Sequence, residues 1–111
     1  MPGKVLFIQA EGLGRGDEKL GSLLMANFLR LLGESPRKPA TIILWNAGVK
    51  LACQGSTQLE HLKKLHAQGV EIVACTTCLE YFDLKENLAV GTPTTMVKAI
   101  ETMMNSEVVT L

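Results

Sequence analysis

Cys75-Thr76-Thr77-Cys78 is the segment whose residue types and spacing can do chemistry. Thiols three residues apart on a first helical turn share a face, so their sulfurs can meet and a reversible disulfide is geometrically accessible. The apolar run Val70-Glu71-Ile72-Val73-Ala74 precedes them and Leu79-Glu80-Tyr81-Phe82 follows, an order that reads as strand, CxxC, helix. At such a junction backbone N–H groups lack intrahelical partners and the helix dipole is positive. Both favour thiolate, the reactive form of sulfur. Cys75 ends the strand and meets those free N–H groups, whereas Cys78 lies a turn into the helix, so Cys75 is the expected nucleophile. The alternative is two small apolar residues packed at a helix start, because free cysteine is often buried and inert. CxxC by itself leaves redox, sulfur-transfer and metal chemistry open.

The other polar candidates are weaker. Zinc needs three or four ligands, and Cys53, His61 and His66 repeat no metal-ligand spacing with the CxxC pair, so no metal is expected. Cys53 follows the apolar Leu51-Ala52 pair and reads as packing. His61 and His66 stand five apart, which does not line one helix face. Gly12-Leu13-Gly14-Arg15-Gly16-Asp17 misses both the GxxxxGK[ST] and the GxGxxG spacing. Gly14 and Gly16 still let backbone approach an anion at a helix start. Lys50 is ordinarily a surface cation, but on the same edge as the cysteines it can favour a sulfur anion. Asn46 either holds its loop through local hydrogen bonds or faces substrate.

These residues must be positioned by an alternating set of strands and helices. Lys4–Ala10 and Thr41–Trp45 are continuous apolar runs, the pattern of strands buried on both faces, and Val70–Ala74 is the third. Between the first two, Asp17 caps a helix to about Leu32 that carries Leu20, Leu23, Leu24, Phe28, Leu31 and Leu32 at helical spacing, with Gly33 ending it. Ser56 caps a second helix with Leu59, Leu62 and Leu65 inward, closed by Gly69. The helix opened by the CxxC ends near Asp83. A short strand is expected at Leu88–Val90, then Thr92 as N-cap with Pro93 at the first helical position. That last helix should bury Met96, Val97, Ile100 and Met103 or Met104, and Val108–Leu111 forms a fifth strand. The fold expected is a three-layer α/β/α domain with a mostly parallel sheet of about five strands, one domain over residues 1–111. Leu6, Ile8, Ile43, Leu44, Ile72 and Val73 should be nearly fully buried. Right-handed crossovers put Glu11–Gly16, Asn46–Lys50, Cys75–Cys78 and Gly91-Thr92 on the carboxyl edge of the sheet, where ligands bind in such folds. A thioredoxin-type CxxC follows the first strand, so that topology is excluded.

Composition narrows the function classes. Eleven basic and eleven acidic residues cancel, so no net charge draws the chain to nucleic acid or an anionic membrane. No apolar run approaches the roughly 18 residues of a membrane span. The start at Met1-Pro2-Gly3-Lys4-Val5 has no h-region and no cleavage site, so a cytoplasmic location with reduced thiols is expected. A hydrophobic fraction of 47% with mean hydropathy +0.20 suits a buried sheet or a subunit that hides surface in a homo-oligomer.

The chain resembles the DsrE/DsrF/TusD-like sulfur-relay superfamily, and within it the DsrE-like domain of YedF-type, selenium-metabolism-associated proteins. The carrying segments are Gly14-Arg15-Gly16-Asp17 with Leu20-Gly21, Asn46–Leu51, Gly55-Ser56, Gly69–Ile72, Cys75–Leu79 and Leu88–Gly91, in order along essentially the whole chain. The resemblance implies an oligomeric α/β/α sulfur carrier in which the cysteine ending the third strand, here Cys75, holds sulfur as a persulfide. It also implies sulfur donor and acceptor proteins; YedF-type proteins usually carry a TusA-like domain upstream, and this chain starts at the DsrE-like strand, so any sulfur donor, a TusA-like protein among the candidates, is expected in trans. Thr76 stands where the family often has glycine, which bears on the turn geometry. Cys78 is not general to the relay subunits.

The function expected is a small cytosolic sulfur carrier, sulfurtransferase-like, with sulfane sulfur on Cys75, Cys78 as resolving thiol and no cofactor. The alternatives are a non-catalytic oligomeric interaction subunit and a CxxC dithiol redox switch.

Overall fold

The computed structural model describes residues 3–111; Met1 and Pro2, part of the start read as leaderless, lie outside them. The three apolar runs form the central strands, β1 (Lys4–Ile8), β2 (Thr41–Leu44) and β3 (Glu71–Cys75), each slightly shorter than or shifted from its apolar run. With β4 (Thr92–Thr94) and β5 (Glu107–Thr110) they make one five-stranded sheet of order β4-β3-β2-β1-β5, every pairing parallel. Register is continuous across the centre: Leu6 faces Ile42, and Ile42 faces Ile72. Four helices join the strands: α1 (Glu18–Glu34), α2 (Leu59–Ala67), α3 (Thr76–Tyr81) and α4 (Met96–Met104).

Each step from β1 through β4 moves one strand in the same direction, so right-handed crossovers put α1, α2 and α3 on one face. The return from β4 to β5, at the opposite edge, brings α4 to the other. The first face holds the main core. Leu6, Ile8, Ile42, Leu44, Ile72 and Ala74, alternate positions along their strands, pack with Met25 and Leu29 of α1 and Leu62 and Leu65 of α2. Each fully buried side chain of this size contributes about 1.5–3 kcal/mol. The expected burial of Leu6, Ile8, Ile43, Leu44 and Ile72 holds. Val73 is only half-buried, because its face is covered by the nine-residue α4 alone and it lines a cleft with Thr41, Thr92 and Lys98 beneath that helix.

Several element readings need correction, each for a local reason. In α1 the buried residues are Gly21, Met25, Leu29 and Gly33, while Leu20, Leu23, Leu24 and Leu31 are 44–57% exposed. Two apolar stripes compete on this helix, and a glycine contact decides between them. Gly21 lies under the preceding loop, where Leu13 N–H donates to its carbonyl at 3.0 Å and a Cβ on Gly12 would come 2.9 Å from its carbonyl carbon. Asp17 caps as expected, accepting from Leu20 N–H at 2.8 Å. Gly33 does not end the helix, which runs to Glu34; Ser35 turns extended before Pro36, as residues preceding proline do.

Ser56 forms a local turn, its Oγ accepting from Gln58 N–H, and α2 starts at Leu59 without a side-chain cap. Leu88–Val90 contributes only an antiparallel bridge between Leu88 and Cys53. The edge strand is Thr92–Thr94 instead, and its Pro93 is tolerated because only one side of β4 is paired. Thr95, not Thr92, caps α4, accepting from Lys98 N–H at 3.2 Å. Only Ala99 of α4 is buried, whereas Met96, Val97, Ile100 and Met104 are 48–77% exposed. No helix among the described residues is long and apolar enough to cross a membrane.

Candidate functional site

The carboxyl ends of β1, β2, β3 and β4 bring together Glu11–Gly16, Asn46–Lys50, Cys75–Cys78 and Thr94-Thr95. The last replaces Gly91-Thr92, which lies at the amino end of β4. Gly91 sits there at φ +82°, so close to β3 that a Cβ would collide with the Ile72 carbonyl oxygen.

β3 delivers Cys75 as the N-cap of α3. Its sulfur accepts the backbone N–H of Cys78 at 3.3 Å, the orphan-donor contact that the strand-to-helix junction predicts. Cys75 itself is buried, at 5% exposure, inside the main apolar cluster. Thr76 begins the helix with no left-handed turn, so a β-branched residue is accommodated there without backbone strain. Its hydroxyl donates to the Thr94 carbonyl at 2.9 Å and ties the start of α3 to the edge strand.

Cys78 is half-buried and opens into a cavity of about 410 Å³ lined by Trp45, Asn46, Thr77, Tyr81 and Phe82. Its sulfur accepts the backbone N–H of Asn46 at 3.1 Å. Burial is the largest influence on its thiol and pushes the pKa up, helped by the hydrogen bond to Cys75 and by negative charge there; the Asn46 N–H pulls it down. Cys78 therefore holds its proton more tightly than a free cysteine does. The arrangement gives each sulfur one main-chain donor, the Cys78 N–H on Cys75 and the Asn46 N–H on Cys78.

Asn46 enters through its backbone, not its side chain. It has φ +52°, a left-handed conformation that asparagine tolerates, and begins a 3-10 helix over Asn46–Ala52. Lys50 lies elsewhere. Its Nζ sits 4.4 Å from the centroid of the Phe82 ring, in a neighbouring cavity of about 430 Å³ with Glu11, Cys53, Gln54 and Ser56. Phe82 is a shared wall of the two cavities, and the ammonium is engaged by that ring rather than by either sulfur. Gly14 and Gly16 line a third cavity with Glu11, Arg15, Asp17 and Glu18. Three carboxylates there against one guanidinium, with Asp17 already on the helix N-terminus, disfavour an anion. Cys53 donates its thiol to the Val49 carbonyl at 3.3 Å and burial pushes its pKa up, as a packing residue.

The aromatic walls Trp45, Tyr81 and Phe82 and the Asn46 amide were missed in sequence. An asparagine directly after a strand was the available signal for the second, since asparagine tolerates the left-handed region.

No protein-family model matches the chain, and no curated protein matches it. Solved structures do. The ychN protein from E. coli superimposes with a TM-score of 0.74 at 20% identity, over 100% of both chains. MTH1491 from Methanobacterium thermoautotrophicum gives 0.69 at 19% identity over 97% of each chain. BT1422 from Bacteroides thetaiotaomicron gives 0.66 at 19% identity, over 97% of this chain and 94% of that one. The protein thus has the DsrE-like fold: a five-stranded parallel sheet with helices on both sides.

Proposed function

We propose that the protein is a small cytoplasmic sulfur carrier of the sulfur-relay type, allied to YedF-type proteins, that holds sulfane sulfur on Cys75. The observation that carries this reading is the Cys75 sulfur at the carboxyl end of β3, accepting a main-chain N–H at 3.3 Å where α3 begins. A Cys75 thiolate attacks the terminal sulfur of a donor persulfide. A new sulfur–sulfur bond forms at Cys75, and the donor leaves as its thiolate. Donor and acceptor are other proteins, a TusA-like donor among them. Cys78 is the resolving thiol: its thiolate attacks the inner sulfur, forms the Cys75–Cys78 disulfide and releases hydrosulfide.

Intact mass after incubation with a sulfane-sulfur donor tests the reading. One added sulfur is expected, localised by peptide mapping to Cys75, and it should last longer in Cys78→Ser. Added sulfur on Cys78 or Cys53 instead, or none on any cysteine, would overturn it.

A second reading has its own support. The outward leucines of α1 and the outward face of α4 suit a non-catalytic oligomeric subunit with inert thiols. Fast alkylation of Cys75 at neutral pH separates the carrier from that subunit, and sulfur gain separates it from a dithiol redox switch.

A further inference from the structure

We infer that Asn46 is a positioning residue for the thiol pair, whose left-handed backbone aims one N–H at the Cys78 sulfur and thereby sets how fast Cys78 resolves a Cys75 persulfide. The consequence for resolution rests on the carrier reading; the effect on Cys78 does not.

The geometry around Asn46 is tied on both sides. Trp45 N–H donates to the Ile8 carbonyl at 3.0 Å, and Gly48 N–H donates back to the Trp45 carbonyl at 2.9 Å. Gly48 packs so closely on the end of β1 that a Cβ there would lie 2.5 Å from the Ile8 carbonyl oxygen. Between these anchors the chain turns through φ +52° at Asn46, one of two non-glycine residues at positive φ among the described residues. That turn leaves the Asn46 side chain exposed and directs its N–H to Cys78 Sγ at 3.1 Å. The two sulfurs thus each accept one main-chain donor, Cys75 from Cys78 and Cys78 from Asn46.

A donor aimed at a sulfur favours its anion over its thiol. Resolution needs the Cys78 anion: Cys78 loses its proton to water, its electron pair forms the bond to the inner sulfur of Cys75, and hydrosulfide leaves with the bonding pair. No outside oxidant enters. Burial and Cys75 oppose formation of that anion, and the Asn46 N–H promotes it. The other titratable groups near Cys78 are Tyr81 of its own helix and, across the Phe82 ring, Lys50. Neither is placed on the Cys78 sulfur by a hydrogen bond.

Because the contact is made by the backbone, glycine should serve as well as asparagine and alanine should serve worse. The test follows alkylation of Cys78 by peptide-resolved mass spectrometry across pH, in a Cys75→Ser background so that one of the pair titrates. The decisive arm replaces the amide N–H of residue 46 with an ester oxygen, made by ligation at Cys53. The ester should move the Cys78 profile upward by about one pH unit, slowing its alkylation near neutrality about tenfold. Asn46→Ala should move it the same way, and Asn46→Gly should leave it in place. An unshifted ester profile, or a Gly variant that matches Ala, would overturn the inference. With both cysteines present and a sulfane donor added, the ester should also slow hydrosulfide release. If no sulfur loads at all, the carrier reading fails, while the Cys78 profile still decides the role of Asn46.

Discussion

Replacing Cys75 by serine and by alanine separates its structural part from its chemical part. The thiol sits at the N-cap of α3 and accepts Cys78 N–H at 3.3 Å. Serine keeps an acceptor at that position and is among the preferred N-cap residues, so Cys75→Ser should leave stability within about 0.5 kcal/mol. Alanine has no acceptor. It leaves an N–H at the start of α3 without its partner in a site that is 5% exposed, and should cost about 1 kcal/mol for the lost cap and up to about 1 more for the lost packing. On a chain of this size a difference of about 1 kcal/mol between the two variants appears as a gap in Tm of about 4 °C, Ser above Ala. Sulfur loading should divide differently: both variants lack the nucleophile, so neither should gain sulfur by intact mass. Calorimetry and mass spectrometry on the same three proteins make the comparison. Equal melting of the two variants would refute the capping argument. Sulfur retained by the Ser variant would refute the choice of nucleophile.

Three further outcomes are expected. Gly91→Ala combines φ +82° with a collision against the Ile72 carbonyl and should cost at least about 2 kcal/mol by urea unfolding, whereas Gly14→Ala, at φ +80° in open space, should cost about 1. The thiols of Cys53 and Cys78 are both held above their ordinary value near 9.0. The unfolded chain therefore gives up these protons first, so their contribution to stability is complete below about pH 8 and declines as pH rises through 9 and beyond. Urea midpoints at pH 8 and pH 10 read that decline, and Cys53→Ala should shrink it; an unchanged slope would count against the burial argument. If the exposed faces of α1 and α4 carry self-association, Leu23→Glu with Val97→Glu should convert a light-scattering oligomer to monomer, and an unaffected mass would send the search to another surface.

The strand runs were legible because a sheet covered on both faces leaves no polar alternation to obscure. Val5–Ile8 and Ile42–Leu44 could be little else, and the helical segments between them made the sheet parallel. Asp17 as a cap and Gly69 as a terminator were legible for a similar reason, since each acts within a few residues of itself. The position of Cys75 at a strand-to-helix junction came from the same local order, and the fold keeps it there.

Helix rotation was a different kind of question. Leu20, Leu23, Leu24 and Leu31 have the spacing of a buried stripe, yet Gly21, Met25, Leu29 and Gly33 face the core. Spacing counts apolar residues but does not see that the Gly12 loop needs the bare surface of Gly21. The same holds for α4, where Ala99 is the buried residue and the larger Met96, Val97, Ile100 and Met104 face outward. Edge pairing misled the reading of Leu88–Val90 for a related reason: the more apolar segment lost to Thr92–Thr94, whose backbone lies in register with Val73–Cys75.

Sequence by itself determined what depends on near neighbours: the strand cores, the Asp17 start of α1, the Gly69 end of α2, the CxxC pair and its place at a helix start. Tertiary structure alone decided what depends on residues far apart in the chain. It put the Asn46 amide on Cys78 across 32 positions, drew the Lys50 ammonium onto Phe82, and turned the leucines of α1 outward. Local propensity and period act over a few residues, whereas directions of backbone donors and rotations of helices are fixed only when separate segments pack.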